Sequence, residues 1–238
     1  MRTLTRGRYR VRLAAGAADL ARARALRTLA FRLNVQDGDA FDDSCLHVLV
    51  EDADDLVACY RLLLLTPDEI EQSYSAQFYD LSALRRFHGP MIEMGRFCIH
   101  PARRDPNIVR VAWGGVAAAV DEAGAAMLFG CSSFYGTEPA PYEDAFALLR
   151  QAHLAPAEWQ PTVKAPDVFR YAETDRDPNL QKAMRGMPPL LRSYLLMGGW
   201  VSDHAVVDSH MNTLHVFTGL EIAAIPPARA QLLRAIAN

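Results

Sequence analysis

Long apolar runs, paired cysteines and lysine are scarce in this chain of 238 residues. Its longest apolar stretches, residues 62–65 and 116–120, fall far short of the roughly 18–20 residues that cross a bilayer, so no spanning helix is expected. Cys45, Cys59, Cys98 and Cys131 stand singly in apolar segments, which excludes a disulfide framework and a zinc ribbon and predicts reduced, packed thiols. The seven histidines show no ligand spacing, so no metal is expected. His47 and His215, in strand-like runs, read as packed or hydrogen-bonding residues. The basic N-terminus has no apolar centre or small-residue cleavage site, which predicts a cytoplasmic protein.

Arginine is plentiful where lysine, present only at Lys164 and Lys182, is not. Residues 1–32 hold nine arginines and one acid, Asp19, a local balance of +8 in a chain whose net charge is −3. Asp37, Asp39, Asp42, Asp43, Glu51, Asp52, Asp54 and Asp55 follow at once. Such a basic face suits an acidic protein partner or anionic lipid, and a solvated arginine-rich terminus accounts for it as well. No nucleic-acid partner is expected.

Alternation predicts a strand over residues 8–13, and Asp19 opens a helix to about Phe31 with Leu20, Leu26, Leu29 and Ala30 as its buried side. Residues 46–50 and 56–65 read as a hairpin around the turn 51–55, and 67–81 as short helix and loop. Strands are expected at 90–99, 125–134, 168–172, 201–207 and 213–218. Helices are expected at 108–123, 142–150, 190–197 and 227–237. The early hairpin favours a mixed sheet over a doubly wound one. No repeat or linker divides the chain, which predicts one domain, residues 1–238, elaborated from about residue 155.

Four polar motifs stand in order along the first half. Arg27 and Phe31 form R-x3-F, Asp39 and Asp42 form D-x2-D, Arg61 follows Val57-Ala58-Cys59-Tyr60, and Glu93, Arg96 and Phe97 form E-x2-R-F. Their order and spacing resemble the N-terminal half of acyl-homoserine-lactone synthases. Further on, residues 129–134 with Gly136, residues 188–195, Gly198-Gly199-Trp200, Asp208 and Asn212-Thr213 resemble the ornithine N-acyltransferases of ornithine-lipid synthesis and their haemolysin-annotated relatives. The resemblance runs from about Arg8 to Phe217. It implies a GNAT-like α/β (α+β) fold: a mixed, largely antiparallel central sheet flanked by helices, with a C-terminal extension.

The resemblance also implies acyl transfer from an acyl carrier protein to the α-amino group of ornithine, giving a lyso-lipid, with a 3-hydroxyacyl chain on the donor. Glutamine as acceptor, an acyl-homoserine-lactone synthase, and a non-catalytic lipid-binding protein are the alternatives. Glu93 is the expected general base, with Arg96 beside it. Arg27, Phe31, Arg61, Asp39 and Asp42 are expected around the acceptor, where a guanidinium fork suits a carboxylate. A structural ion-pair lattice explains Arg27 and Asp42 equally well.

Ser132 and Ser133 are candidates to bind the donor's pantetheine arm. Arg103 and Arg104 stand where a GNAT loop meets the donor's phosphate arm. That loop lacks its glycines after His100-Pro101, which favours a phosphopantetheine thioester on a carrier protein over coenzyme A. No resident cofactor is expected. Contact with the inner face of an anionic membrane is expected to be peripheral.

Overall fold

The computed structural model describes residues 1–237. In chain order its strands are β1 (Leu4–Arg6), β2 (Tyr9–Leu13), β3 (Leu46–Asp52), β4 (Asp55–Leu65), β5 (Tyr79–Asp80) and β6 (Met91–Ile99). They continue with β7 (Met127–Tyr135), β8 (Thr162–Val163), β9 (Val168–Phe169), β10 (Trp200–Val201), β11 (Ala205–Asp208) and β12 (Thr213–Glu221). The helices are α1 (Ala17–Phe31), α2 (Asn107–Ala123), α3 (Glu143–Ala152), α4 (Leu180–Gly186), α5 (Pro189–Leu196) and α6 (Pro227–Ala237). The chain folds into two compact units. Unit 1 comprises Met1–Leu64, Ile92–Ala125 and the closing segment from Pro226; unit 2 comprises Leu65–Met91 and Ala126–Ile225.

Unit 1 orders its strands β1-β2-β3-β4-β6. The alternation of β2 buries Tyr9 and Val11 and turns Arg10 outward, and its antiparallel ladder runs from Tyr9 opposite Asp52 to Leu13 opposite Val48. The β3–β4 hairpin is tighter than the sequence suggests. Asp52 pairs with Asp55, leaving Ala53 and Asp54 as the turn, with Ala53 at φ 54°.

α1 differs from expectation in its inward face. It buries Asp19, Ala23, Leu26 and Arg27, while Leu29 is exposed. Charged residues can occupy that face because each meets an opposite charge, Asp19 with Arg12 and Arg22 and Arg27 with Asp42.

α2 stops at Gly124 in the left-handed region, as its sequence indicates. Two consecutive glycines let this helix approach its neighbours. A Cβ on Gly114 would lie 2.5 Å from Ile236 Cγ2 of α6, and one on Gly115 would lie 2.6 Å from the Tyr60 hydroxyl.

In unit 2, β7 and β12 pair antiparallel along their whole length, from Met127 opposite Glu221 to Tyr135 opposite Thr213. β12 also pairs with β10 and β11, β11 pairs with β9, and β5 with β8 forms a separate ribbon. Phe134, Phe146, Leu149, Tyr171, Leu191, Leu214 and Val216 make the core of this unit.

Two expected strands are shorter here. The run 201–207 breaks at residues 202–204, where Ser202 Oγ donates to the His204 carbonyl at 2.7 Å and accepts from Phe217 N at 3.1 Å. The run 168–172 gives way to a 3-10 turn at Tyr171–Glu173. No helical pattern marks α4, whose seven residues leave Leu180 and Met184 exposed.

Candidate active site

Unit 1 gathers a buried lattice of ions where α1, the acidic loop, β4 and β6 meet. Asp39 opens the loop's 3-10 turn by accepting from Phe41 N at 3.0 Å, which fixes Asp42 one short turn later. Arg27 reaches Asp42 through two parallel hydrogen bonds of 2.8 Å, and its Nε lies 2.5 Å from Asp37. Arg24 adds a bond of 2.8 Å to the same Asp42 carboxylate. From β4, Arg61 donates to Asp42 at 2.9 Å and to both oxygens of Asp39 at 2.5 and 2.9 Å. His47 Nε2 lies 2.9 Å from the Asp42 carbonyl. Arg96 on β6 reaches Asp39 at 3.0 Å and Asp37 at 3.5 Å.

The lattice is closed at one end and open at the other. The Asp42 side chain is 0% exposed, whereas Asp39 is 24% and Arg96 12% exposed. Burial alone would raise the Asp42 carboxyl, but the hydrogen bonds from Arg27 and Arg24 outweigh it and hold it well below the usual carboxylate range. Asp39 is lowered in the same way, burial being overcome by Arg61.

Glu93 is buried on β6, three residues before Arg96. Cys45 shows its company. Burial pushes that thiol up to about 11, with Arg61 pulling down and Glu93, Asp39 and Asp42 pushing further up. The carboxylate of Glu93 is therefore within electrostatic reach of the same cluster. Arg96 has φ 53°, a left-handed residue inside a strand, and it follows Gly95, over whose backbone the Arg61 side chain runs. A non-glycine residue in that conformation costs about 1–3 kcal/mol and interrupts the regular pleat.

Arg27, Asp39, Asp42, Arg61 and Arg96 thus lie together, and the buried Glu93 acts electrostatically on Cys45 as Arg61, Asp39 and Asp42 do. Phe31 packs against the apolar cluster of Ala23, Leu26, Leu49, Cys59 and Cys98. Sequence reasoning did not single out Arg24, Asp37, Cys45 or His47 for this site. No motif marks them, and only the crowding of acids after residue 36 hinted at Asp37.

Of the remaining candidates, Ser132 and Arg103 find other partners. In unit 2, Ser132 is buried and accepts from Thr218 Oγ1 at 2.9 Å, while Ser133 is exposed. In unit 1, Arg103 is tied to Asp52 and Asp55, and Arg104 is exposed. A carboxylate from the preceding loop already meets the N-terminal end of α2. Asp105 accepts from Asn107 N at 2.9 Å and from the Tyr9 hydroxyl at 2.6 Å. Among the described residues no three His, Cys, Asp or Glu side chains cluster as a metal would require.

A family model described as an acetyltransferase (GNAT) domain matches residues 25–114, the segment that carries most of the lattice. The chain is 31% identical to an L-ornithine N(alpha)-acyltransferase of Rhodobacter capsulatus, covering 91% of both chains. It is 35% identical to an L-ornithine N(alpha)-acyltransferase of Agrobacterium fabrum, covering 80% of this chain and 69% of that one. The chain belongs to the L-ornithine N(alpha)-acyltransferase family. Members of the family are acyltransferases, and so is this protein.

Among solved structures, FeeM, an N-acyl amino acid synthase from uncultured soil microbes, superposes with a TM-score of 0.54 at 10% identity, over 91% of this chain and 93% of that one. It shows the shared GNAT fold, with a largely antiparallel sheet flanked by helices, as the sequence resemblance implied.

Proposed function

We propose that this protein transfers a 3-hydroxyacyl chain from an acyl-carrier-protein thioester to the α-amino group of ornithine, forming lyso-ornithine lipid. The observation that carries this reading is the open end of the lattice, Asp39 with Arg96, on the strand that holds the buried Glu93. The family membership supplies the acceptor.

The reaction needs a neutral amine, a polarised thioester carbonyl and close contact between the two. In our reading Glu93 takes the ammonium proton, directly or through water. The amine nitrogen then attacks the thioester carbon, the C–S bond breaks, and the proton that the nitrogen gives up in becoming an amide goes to the departing thiolate. A main-chain N–H of β6, at the break in the pleat, stabilises the oxyanion.

The two ends of the lattice divide the remaining roles. Asp42 is enclosed by Arg24, Arg27 and Arg61, so these groups position the rim and do not bind substrate. Arg96 takes the acceptor's carboxylate and Asp39 its second ammonium.

The carrier-protein donor is supported at α2. A coenzyme A pyrophosphate placed at its N-terminus would meet the Asp105 carboxylate, and Arg103 is already engaged by Asp52 and Asp55. The single phosphate of phosphopantetheine demands less, and Arg104 is exposed to meet it. We further infer peripheral contact with the inner membrane face, where an amphiphilic product would leave. Among the described residues no helix is long and apolar enough to cross a membrane.

The test is purified protein with 3-hydroxyacyl carrier protein and a panel of amino acids, read by mass spectrometry. The expected product is acylated at the α-amino group of ornithine. Acylated glutamine or acyl-homoserine lactone in its place would replace this reading, and equal use of acyl-coenzyme A would remove the donor assignment.

A further inference from the structure

Asp37 is the one aspartate of the lattice to which acyl transfer as set out above gives no part. It stands in the loop that follows α1 and is 6% exposed. Its main chain is pinned to that helix. Asp37 N donates to Thr28 Oγ1 at 2.8 Å, and the Thr28 hydroxyl donates in turn to the Arg24 carbonyl at 2.8 Å. The Oδ2 atom of Asp37 lies between two arginine Nε atoms, 2.5 Å from Arg27 and 3.5 Å from Arg96.

Arg96 is therefore tied to the lattice twice, through Nε to Asp37 and through Nη2 to Asp39 at 3.0 Å. A single ion pair lets a guanidinium swing about the contact, whereas two on different nitrogens fix its plane. The two carboxylates are unlike. Asp39 is partly exposed and is assigned above to the acceptor's second ammonium, so its charge is shared once the acceptor arrives. Asp37 is enclosed, and its other partner, Arg27, is held in place by two bonds to Asp42. Asp37 thus keeps its grip on Arg96 while Asp39 turns to substrate. The backbone adds a reason for such a grip. Arg96 has φ 53°, a conformation that persists only where the surroundings hold it.

Asp37 is too enclosed to touch the acceptor, but it can aim the guanidinium that does. We propose that Asp37 is the positioning residue for Arg96 and, through it, sets the preference for acceptors that carry an α-carboxylate. The inference rests on the reading above in which Arg96 takes that carboxylate.

The test is a competition in one vessel between ornithine and ornithine amide, in which a neutral carboxamide replaces the carboxylate. The ratio of the two acylated products, read by mass spectrometry, gives the ratio of kcat/KM values. A smaller folded fraction slows both products alike and leaves that ratio unmoved, so a merely structural role for Asp37 would not change it. The wild type should prefer ornithine at least about tenfold, and Arg96→Gln should bring the two acceptors to within about twofold. Asp37→Asn should reduce the preference about fivefold, and in the Arg96→Gln background it should change the ratio no further. Thr28→Val, which frees the Asp37 main chain and alters no charge, should move the ratio the same way by about twofold. It carries the comparison where Asp37→Asn yields no folded protein. A wild-type ratio in Asp37→Asn, with the preference lost in Arg96→Gln, would overturn the inference and leave the role of Arg96 standing. So would a further change on adding Asp37→Asn to Arg96→Gln, since Asp37 would then act by itself. An unchanged preference in Arg96→Gln would remove the carboxylate reading of Arg96 and this inference with it.

Discussion

Each unit buries polar side chains against its strands, and the two close their hydrogen bonds in different ways. In unit 1, Arg27 and Arg61 are almost fully buried, and their guanidinium groups are met by Asp37, Asp39 and Asp42. In unit 2, a buried phenol and two imidazoles sit among aromatic rings, and three buried ring nitrogens, Nε2 of His204 and His215 and Nε1 of Trp200, have no hydrogen-bond partner among the described residues. The lattice is stiff because each buried charge that left would strand its partner. The aromatic cluster carries no such constraint.

The largest expected effect tests the chemistry of the charged region. Glu93→Gln keeps shape and removes the proton acceptor, so kcat should fall by about 10²–10⁴ with the fold retained. Unchanged turnover in a folded variant would remove Glu93 from its role.

Next comes the cohesion of the lattice. Asp42→Asn leaves Arg24, Arg27 and Arg61 without their shared carboxylate, and unfolding free energy should drop by about 3–5 kcal/mol in denaturant titration. The pH dependence follows with a definite sign. The folded Asp42 carboxyl lies below its usual value, so below about pH 4 the unfolded chain takes up a proton that the folded chain does not. Its contribution is complete above pH 4 and is lost as pH falls further. Asp42→Asn should flatten that acid limb, and an unaltered limb would mean that other carboxylates set it.

Ser132→Ala sharpens the comparison from the other unit. Loss of the Thr218 hydrogen bond should cost about 1 kcal/mol. A rise in KM for the acyl donor beyond that structural effect would give Ser132 its pantetheine role. Equal kinetics would leave it a packing residue.

How much of this was legible depends on the kind of signal. Helices and strands with a regular apolar period, such as α2 with its Gly124 stop and the β3–β4 hairpin, could be placed because burial follows the period. α1 misled because Asp19 and Arg27 face inward, and a charge in a helix reads as solvated until its partner is known. α4 gave no signal because it is short and turns Leu180 and Met184 outward. Motif order brought Arg27, Asp39, Asp42, Arg61, Glu93 and Arg96 to notice together, yet nothing in the sequence separated the enclosed Asp42 from the open Asp39. The positive φ of Arg96 is equally silent, since arginine has no preference for that region.

The smallest expected effect concerns the N-terminal arginines. Arg8, Arg10, Arg12, Arg22, Arg24 and Arg27 each meet a carboxylate within unit 1, so the +8 balance of the sequence is largely neutralised in the fold. Arg2 and Arg6 have no such partner among the described residues, and residues near an anionic surface contribute about 1 kcal/mol each. Binding to anionic vesicles should therefore be weak and salt-reversible, and Arg2→Glu with Arg6→Glu should abolish it. Salt-resistant binding would point to inserted apolar side chains.

The division of the lattice into an enclosed end and an open end is tested most directly by two aspartate variants side by side. KM for ornithine and thermal midpoint are measured for Asp39→Asn and Asp42→Asn. Asp39→Asn should raise KM about tenfold or more and shift the midpoint little, because a partly exposed carboxylate that binds the second ammonium is lost. Asp42→Asn should lower the midpoint strongly, and the protein that remains folded should keep its KM. The reverse pattern, a destabilised Asp39→Asn with unchanged KM beside a stable Asp42→Asn with impaired ornithine binding, would contradict the account.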